Sequence, residues 1–208
     1  MNIFITGTGT NVGKTLICSW LCLHTNYSYF KPIQTGAYDD TDSRIVCNLS
    51  SAKIYNETYI FKNPLSPHLA ALLEDEEIDI TKIQLPSDKN LIVEGAGGVL
   101  VPINKQYLMV DLIKRFDIPT IIVAVSQLGT INHTLLSLEA LRSRSISILG
   151  VILTGKLDQS IADTIEFYGK VKVLAQIPYL SSINKKTLSE IPFSANLKQI
   201  LNNDKTCD

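Results

Sequence analysis

The sequence predicts an α/β fold in which a doubly wound, mostly parallel sheet carries helices on both faces. Three observations lead to this prediction. Short apolar runs alternate along the chain with longer stretches of helical periodicity. The run at residues 119–125 is almost wholly apolar and β-branched, as is typical of a central strand covered on both faces. The first apolar run leads through a glycine-rich loop into a helix, which is the layout of a phosphate-binding loop.

The predicted elements alternate along one domain that spans residues 1–208. The predicted strands cover residues 2–6, 28–30, 90–93, 119–125, 147–153 and 171–177, and the predicted helices cover residues 13–25, 41–51, 69–75, 108–116, 130–143 and 160–168. Residues 31–36 are predicted to leave a strand as a loop, because Pro32 restricts Lys31 to an extended backbone. From about residue 195 to residue 208 we expect a frayed tail.

Composition and charge exclude several classes of function. The chain has 45% hydrophobic and 19% charged residues and a formal net charge of −1. Since Lys and Arg form no block, we expect binding neither to nucleic acid nor to a membrane surface. Cys18 and Cys22 lie on one face of the first helix without further residues at ligand spacing. We therefore expect buried reduced thiols and a cytoplasmic protein.

The glycine-rich segment at residues 7–15, GTGTNVGKT, is predicted to bind phosphates. Backbone N–H groups of such a loop point inward, and the helix that follows adds its positive end. Lys14 can reach the β- and γ-phosphates, and the Thr15 hydroxyl can hold Mg²⁺. Five residues separate Gly7 from Gly13, one more than in the usual motif, and Thr8 stands where the first glycine would fall. A chance Gly-Lys-Thr in a surface turn is the alternative, but the strand and helix on either side favour a P-loop NTPase-like fold.

Further charged residues follow the predicted strands, whose carboxyl ends bind ligands in folds of this class. Lys31 could neutralise charge that develops during phosphoryl transfer, although a surface lysine is the alternative. Glu94 directly follows a buried apolar strand, where a Mg²⁺ ligand is needed opposite the loop threonine. A second Mg²⁺ ligand could come from Asp39, Asp40 or Asp42, one of which could instead cap a helix.

The start of the long helix at residues 129–132 offers free N–H groups that could bind a carboxylate or a phosphate. The alternative is that Thr130 or Asn132 simply caps the helix. The loops at residues 7–15, 31–36, 94–98, 126–132, 154–158 and 178–181 are predicted to form one composite site.

Taken together, these loops resemble those of dethiobiotin synthetase. The matching segments appear in the family's order and cover residues 2 to about 180: residues 7–15, KPIQTG at 31–36, SPH at 66–68, VEGAGG at 93–98, LGTINH at 128–133 and IPY at 177–179. The resemblance implies a fold similar to the nitrogenase iron protein and a homodimer. It also implies a reaction in which 7,8-diaminononanoate, CO₂ or bicarbonate, and ATP with Mg²⁺ give dethiobiotin.

The resemblance also assigns roles to residues of this chain. It implies catalytic roles for Lys14, Lys31 and Thr10, metal ligands at Thr15, Asp42 and Glu94, and substrate contacts from Thr35 and, across the dimer, from Gly129, Thr130, Ile131 and Asn132. The nucleotide contacts that it implies are Thr10, Asn11, Val12, Gly13, Lys14, Thr15, Glu94, Gly95, Ala96, Gly97, Thr154, Gly155, Pro178 and Tyr179.

Three features of the sequence depart from the family pattern. Gly9 stands where many members have Asp, and Asn11 stands where many have Glu. Thr154-Gly155 replaces an Asn-Asp pair whose amide reads the adenine edge, and this pair cannot make that two-sided contact. The competing interpretations are another P-loop amidoligase, and an ATPase or GTPase of related fold. The guanine motif after Gly155 is incomplete, which argues against the GTPase. Lys14 is the first lysine of the chain, and the missing earlier lysine in the loop argues against the ATPase.

Overall fold

The computed structural model describes residues 1–38 and 40–202. Its main sheet is formed by β1 (Ile3–Gly7), β2 (Ser28–Phe30), β4 (Ile54–Tyr55), β6 (Leu91–Gly98), β7 (Thr120–Ser126), β8 (Ile148–Gly155) and β9 (Val173–Pro178). The strand order is β4-β2-β6-β1-β7-β8-β9, and every pairing is parallel. Two short strands, β3 (Ile33–Thr35) and β5 (Tyr59–Phe61), form a separate parallel pair. The predicted fold class is confirmed.

Helices cover both faces of the main sheet. They are α1 (Lys14–Thr25), α2 (Asp42–Ser50), α3 (Pro67–Leu73), α4 (Met109–Phe116), α5 (Thr130–Arg142), α6 (Gln159–Gly169), α7 (Lys185–Ser189) and α8 (Ala195–Asn202). Helices α1, α2, α7 and α8 bury apolar side chains against one face of the sheet, and α3 to α6 against the other. Side chains alternate between the two cores along each strand, so that Phe4 enters one and Ile5 the other.

The alternation of side chains along the strands determines which face of the sheet the polar residues at the strand ends occupy. Ile92 of β6 and Ile152 of β8 belong to the core beneath α1. Glu94 and Thr154 lie two residues further on and therefore face the same side, at the end of the sheet where α1 begins. The strand ends thus deliver these two polar side chains to the phosphate loop.

Several predicted boundaries were wrong. Residues 31–36 contain β3 rather than a continuous loop, and β6 runs through Glu94 to Gly98 instead of ending before the carboxylate. The predicted tail forms α8 over Ala195–Asn202, because Leu197 and Leu201 are buried one helical turn apart. Residues 203–208 of that predicted tail lie outside the described residues. Within the described chain, no helix is both long and apolar enough to cross a membrane.

Candidate functional site

The phosphate loop folds tightly onto the sheet between β1 and α1. Asn11 and Gly13 adopt left-handed backbone conformations, with φ of 58° and 93°. A side chain on Gly13 would meet the Thr154 methyl group at 3.0 Å, whereas a side chain on Gly9 would meet nothing within 4 Å. Lys14 is buried and donates to the Gly9 carbonyl at 3.0 Å, so its ammonium group arches over the loop.

Four charged side chains and one hydroxyl converge beside this loop. The Thr15 hydroxyl lies 2.9 Å from Asp42 Oδ1 and 2.9 Å from Glu94 Oε1. Lys31 Nζ lies 2.5 Å from Asp42 Oδ2 and 3.0 Å from Glu94 Oε1. Lys14 completes the charged group. The helix start that supplies Asp42 is fixed by Thr41, whose side chain accepts from the Arg44 N–H.

The direction of each pKa shift in this cluster follows from the balance between burial and the neighbouring charges. Burial alone would lower the pKa of Lys31, but the carboxylates of Glu94 and Asp42 more than offset it and raise that pKa above its ordinary value. Burial lowers the pKa of Lys14, opposed by the negative charge of Glu94. Burial would raise the pKa of Asp42, but the adjacent Lys31 ammonium group lowers it. Lys31 therefore holds its proton, and Asp42 remains ionised.

This cluster opens into a cavity of about 610 Å³. The predicted site residues that line it are Thr10, Asn11, Gly13, Lys14, Thr15, Lys31, Thr35, Asp42, Glu94, Ala96 and Gly97. Val12 instead packs into the core under α1, and a side chain on Gly95 would meet the Phe4 ring at 2.9 Å, so neither residue lines the cavity. Asp40 also lines the cavity, while Asp39 lies outside the described residues.

The oxygen atoms at this point suit Mg²⁺. Thr15, Asp42 and Glu94 supply a hydroxyl and two carboxylates, which are the hard ligands that this ion takes. Among residues 1–38 and 40–202, no three His, Cys, Asp or Glu side chains are grouped as a metal site. Mg²⁺ is usually held by one or two carboxylates together with substrate phosphates, so two carboxylates beside a phosphate loop fit it.

The end of β8 differs from the base-reading position that the family pattern implies. Thr154 is buried, and its hydroxyl donates to the Val12 carbonyl at 2.8 Å. A side chain on Gly155 would meet the Tyr179 ring at 3.2 Å. Pro178 and Tyr179 line a separate cavity of about 620 Å³. Thr154 therefore braces the phosphate loop and has no amide to offer to a base.

The start of α5 is partly exposed to solvent. Gly129 and Asn132 are exposed, Thr130 is buried and Ile131 is partly buried. Further along this helix, His133 and Leu136 line a third cavity of about 370 Å³ together with Thr8, Gly9 and Thr10 of the phosphate loop. Residues 129–132 do not line the cavity that holds Lys14 and Lys31.

Sequence reasoning assigned no role to two polar side chains that contact this cluster. Gln34 accepts from the Asp42 backbone N–H at 3.0 Å, and Tyr29 donates to Glu94 Oε2 at 2.8 Å. Tyr29 stands in a short run that has the composition of a core strand, and its partner depends on the pairing of β2 with β6. No signal in the sequence identifies that contact.

Comparisons with known proteins give the following matches. A family model described as an AAA domain matches residues 1–187. The chain is 56% identical to an ATP-dependent dethiobiotin synthetase of Lawsonia intracellularis, over 96% of this chain and 98% of the relative. It is 44% identical to the protein of the same name from Paramagnetospirillum magneticum, over 91% of this chain and 94% of the relative.

Two solved structures share the fold at 13% sequence identity. Chloroplast FtsY from Physcomitrella patens gives a TM-score of 0.52 over 97% of this chain and 65% of that chain. A ParA family ATPase from Chlorobium tepidum gives a TM-score of 0.50 over 96% of this chain and 95% of that chain. At this identity the likeness concerns the fold alone.

Proposed function

The chain belongs to the dethiobiotin synthetase family, and we propose that its charged cavity joins CO₂ to 7,8-diaminononanoate with ATP and Mg²⁺. The resemblance predicted from the loops is thereby confirmed, and the chain is an ATP-dependent ligase of biotin biosynthesis. We further propose the cytoplasm as its location, because the cysteines among the described residues are free thiols.

The observation that supports this reaction is the convergence of Lys14, Lys31, Asp42 and Glu94 beside the phosphate loop. A carbamate and a γ-phosphate are both anions, so they approach one another only where positive charge is concentrated and fixed. Lys14 and Lys31 provide two buried ammonium groups within one cavity. When bound, Mg²⁺ would supply a Lewis acid for the phosphate oxygens, held by Thr15, Asp42 and Glu94.

The reaction then needs no nucleophile from the protein. One amine of the diamine takes up CO₂ as a carbamate and releases a proton. A carbamate oxygen attacks the γ-phosphorus atom, the bond to ADP breaks, and a mixed carbamic–phosphoric anhydride forms. The second amine attacks the carbonyl carbon, loses its proton, and expels phosphate as the ring closes. Lys14 stabilises charge on the phosphates, and Lys31 stabilises charge on the carbamate oxygens.

We propose that the substrate carboxylate binds the start of α5 from a second copy of the chain. Two observations support this. Residues 129–132 do not line their own chain's phosphate cavity. Leu100, Leu128 and Leu136 are exposed near this helix and the neighbouring cavity. Apolar side chains exposed in this way are covered when a homodimer forms.

Substrate-dependent release of ADP tests the proposal. Purified protein should release ADP only when both 7,8-diaminononanoate and bicarbonate are present. Lys14→Ala, which removes the ammonium group over the loop, should abolish turnover. Equal ADP release without the diamine would refute the ligase reaction, and near-normal activity of Lys14→Ala would refute the assignment of the phosphate loop.

A further inference from the structure

A buried tyrosine lies directly behind the carboxylate that faces the phosphate cavity. Tyr29 is the middle residue of β2 and is fully buried, and its hydroxyl donates to Glu94 Oε2 at 2.8 Å. The other carboxylate oxygen, Oε1, accepts from Thr15 at 2.9 Å and from Lys31 at 3.0 Å. The two oxygens of one carboxylate therefore have different surroundings, one in the core and one in the cavity.

The contact follows from the pairing of the strands. Tyr29 is paired with Ile92 in the parallel ladder of β2 and β6, and Glu94 lies two residues beyond Ile92 on the same face. Lys31 likewise lies two residues beyond Tyr29. Tyr29 therefore lies two residues further from the phosphate loop than Lys31, and its long side chain extends along the strand direction to reach the Glu94 carboxylate.

A neutral donor at this place orients the carboxylate without cancelling its charge. A cation behind Glu94 would compete with Mg²⁺ for the negative charge, whereas a phenol hydroxyl only fixes the direction of the oxygen that accepts its proton. The Tyr29 hydroxyl donates to Glu94 Oε2 at 2.8 Å, so this contact supplies a hydrogen bond and no positive charge.

We propose that Tyr29 is a positioning residue that holds Glu94 so that Oε1 alone is presented to the metal and the phosphates. The inference rests on the proposed Mg²⁺ role of Thr15, Asp42 and Glu94. Groups that hydrogen-bond a metal ligand from behind change metal affinity or activity by about 10- to 100-fold when removed. Tyr29 acts in this way through Glu94 and touches neither substrate nor metal.

The chain contains a matched control for this contact. Tyr27 is two residues away and belongs to the same apolar core, and its hydroxyl donates at 2.7 Å to the Leu201 carbonyl of α8. Tyr27→Phe and Tyr29→Phe each keep the ring that fills the core and each remove a hydroxyl that donates a buried hydrogen bond. A purely structural role predicts similar consequences for the two variants at the metal site.

The test is the affinity of each variant for Mn²⁺ in the presence of ADP, measured by the electron paramagnetic resonance signal of free Mn²⁺. Tyr29→Phe should weaken binding about 10-fold, while Tyr27→Phe should stay within about 2-fold of the unchanged protein. The Mg²⁺ concentration for half-maximal turnover should rise in parallel for Tyr29→Phe, with most of the rate recovered at saturating Mg²⁺. Urea unfolding of both variants confirms that each is folded.

A double-mutant cycle with Glu94→Gln separates the interpretations. If Tyr29 acts through Glu94, Tyr29→Phe adds little to the loss of Mn²⁺ binding already caused by Glu94→Gln. Fully additive losses, or equal Mn²⁺ affinity of Tyr29→Phe and the unchanged protein, would overturn the inference while leaving the proposed function intact. Failure of the unchanged protein to bind Mn²⁺ with ADP would overturn the metal site and this inference together.

Discussion

Replacing Lys31 with Ala removes the cation shared by two carboxylates and should therefore change both stability and metal binding. Lys31 Nζ lies 2.5 Å from Asp42 and 3.0 Å from Glu94, and the exposed fractions of these side chains are 5%, 26% and 1%. Removing one partner of a buried ion pair costs about 3–5 kcal/mol, since the remaining charge stays buried and unpaired. Because Asp42 is partly exposed to water, we expect a loss near the lower limit, about 3 kcal/mol.

Mg²⁺ should restore much of the stability that Lys31→Ala loses, because it would take the place of the missing cation between the carboxylates. A ligand at 100 times its dissociation constant stabilises the folded state by about 2.7 kcal/mol. In the unchanged protein Lys31 competes for the same oxygens, so Mg²⁺ should stabilise the variant more. Turnover should nevertheless fall by about 10²–10³-fold, as is typical when one group that stabilises transition-state charge is removed, while nucleotide binding changes little.

The assay is urea unfolding of Lys31→Ala and of the unchanged protein, with and without Mg²⁺, together with nucleotide titration and turnover at saturation. Lys53→Ala is the control: its ion pair with Asp88 is 3.5 Å long and its side chain is 66% exposed, so its unfolding midpoint should barely move. Equal stabilisation of both proteins by Mg²⁺ would refute the shared site. A loss of nucleotide affinity without a loss of rate at saturation would reduce Lys31 to a positioning role.

Two further predictions concern the loop and the dimer. Gly13→Ala should lose about 1–2 kcal/mol of stability and most nucleotide binding, because φ is 93° and Thr154 lies 3.0 Å from the added carbon. Gly9→Ala, whose added carbon meets nothing within 4 Å, should retain both properties. Urea unfolding measures the stability of each variant, and nucleotide titration measures its binding. Dilution should reduce specific activity in step with dissociation measured by analytical ultracentrifugation, because the start of α5 would serve the partner's substrate; a fully active monomer would contradict the dimer.

The parallel sheet explains why much of the site could be predicted from the sequence. Carboxyl ends of parallel strands meet at one edge, so Lys31 after β2 and Glu94 within β6 had to approach the loop after β1. The identity of Asp42 among three nearby acids depended on where α2 begins, which Thr41 fixes by capping it. The first inference needed only the order of the elements, whereas Asp42 was singled out by the resemblance to the family.

Other features depend on register and packing that the sequence does not display. Thr154 could be identified as a departure from the family pattern, but its bond to the Val12 carbonyl requires β8 to lie beside the folded loop. The short pair β3 and β5 has too few residues for a periodic signal. Helix α8 did carry a signal, the spacing of Leu197 and Leu201, which the polar composition around it obscured.

The central claim is tested most directly by incorporation of labelled bicarbonate into 7,8-diaminononanoate by the purified chain, in parallel with ATP, GTP and CTP. We predict a labelled ring product only when nucleotide, Mg²⁺ and diamine are all present. We also expect weak discrimination among the three bases, because the Thr154 hydroxyl donates to the Val12 carbonyl of the phosphate loop and Gly155 has no side chain. Binding of all three nucleotides without fixation of label would contradict the proposed reaction and favour a different substrate for the same loops.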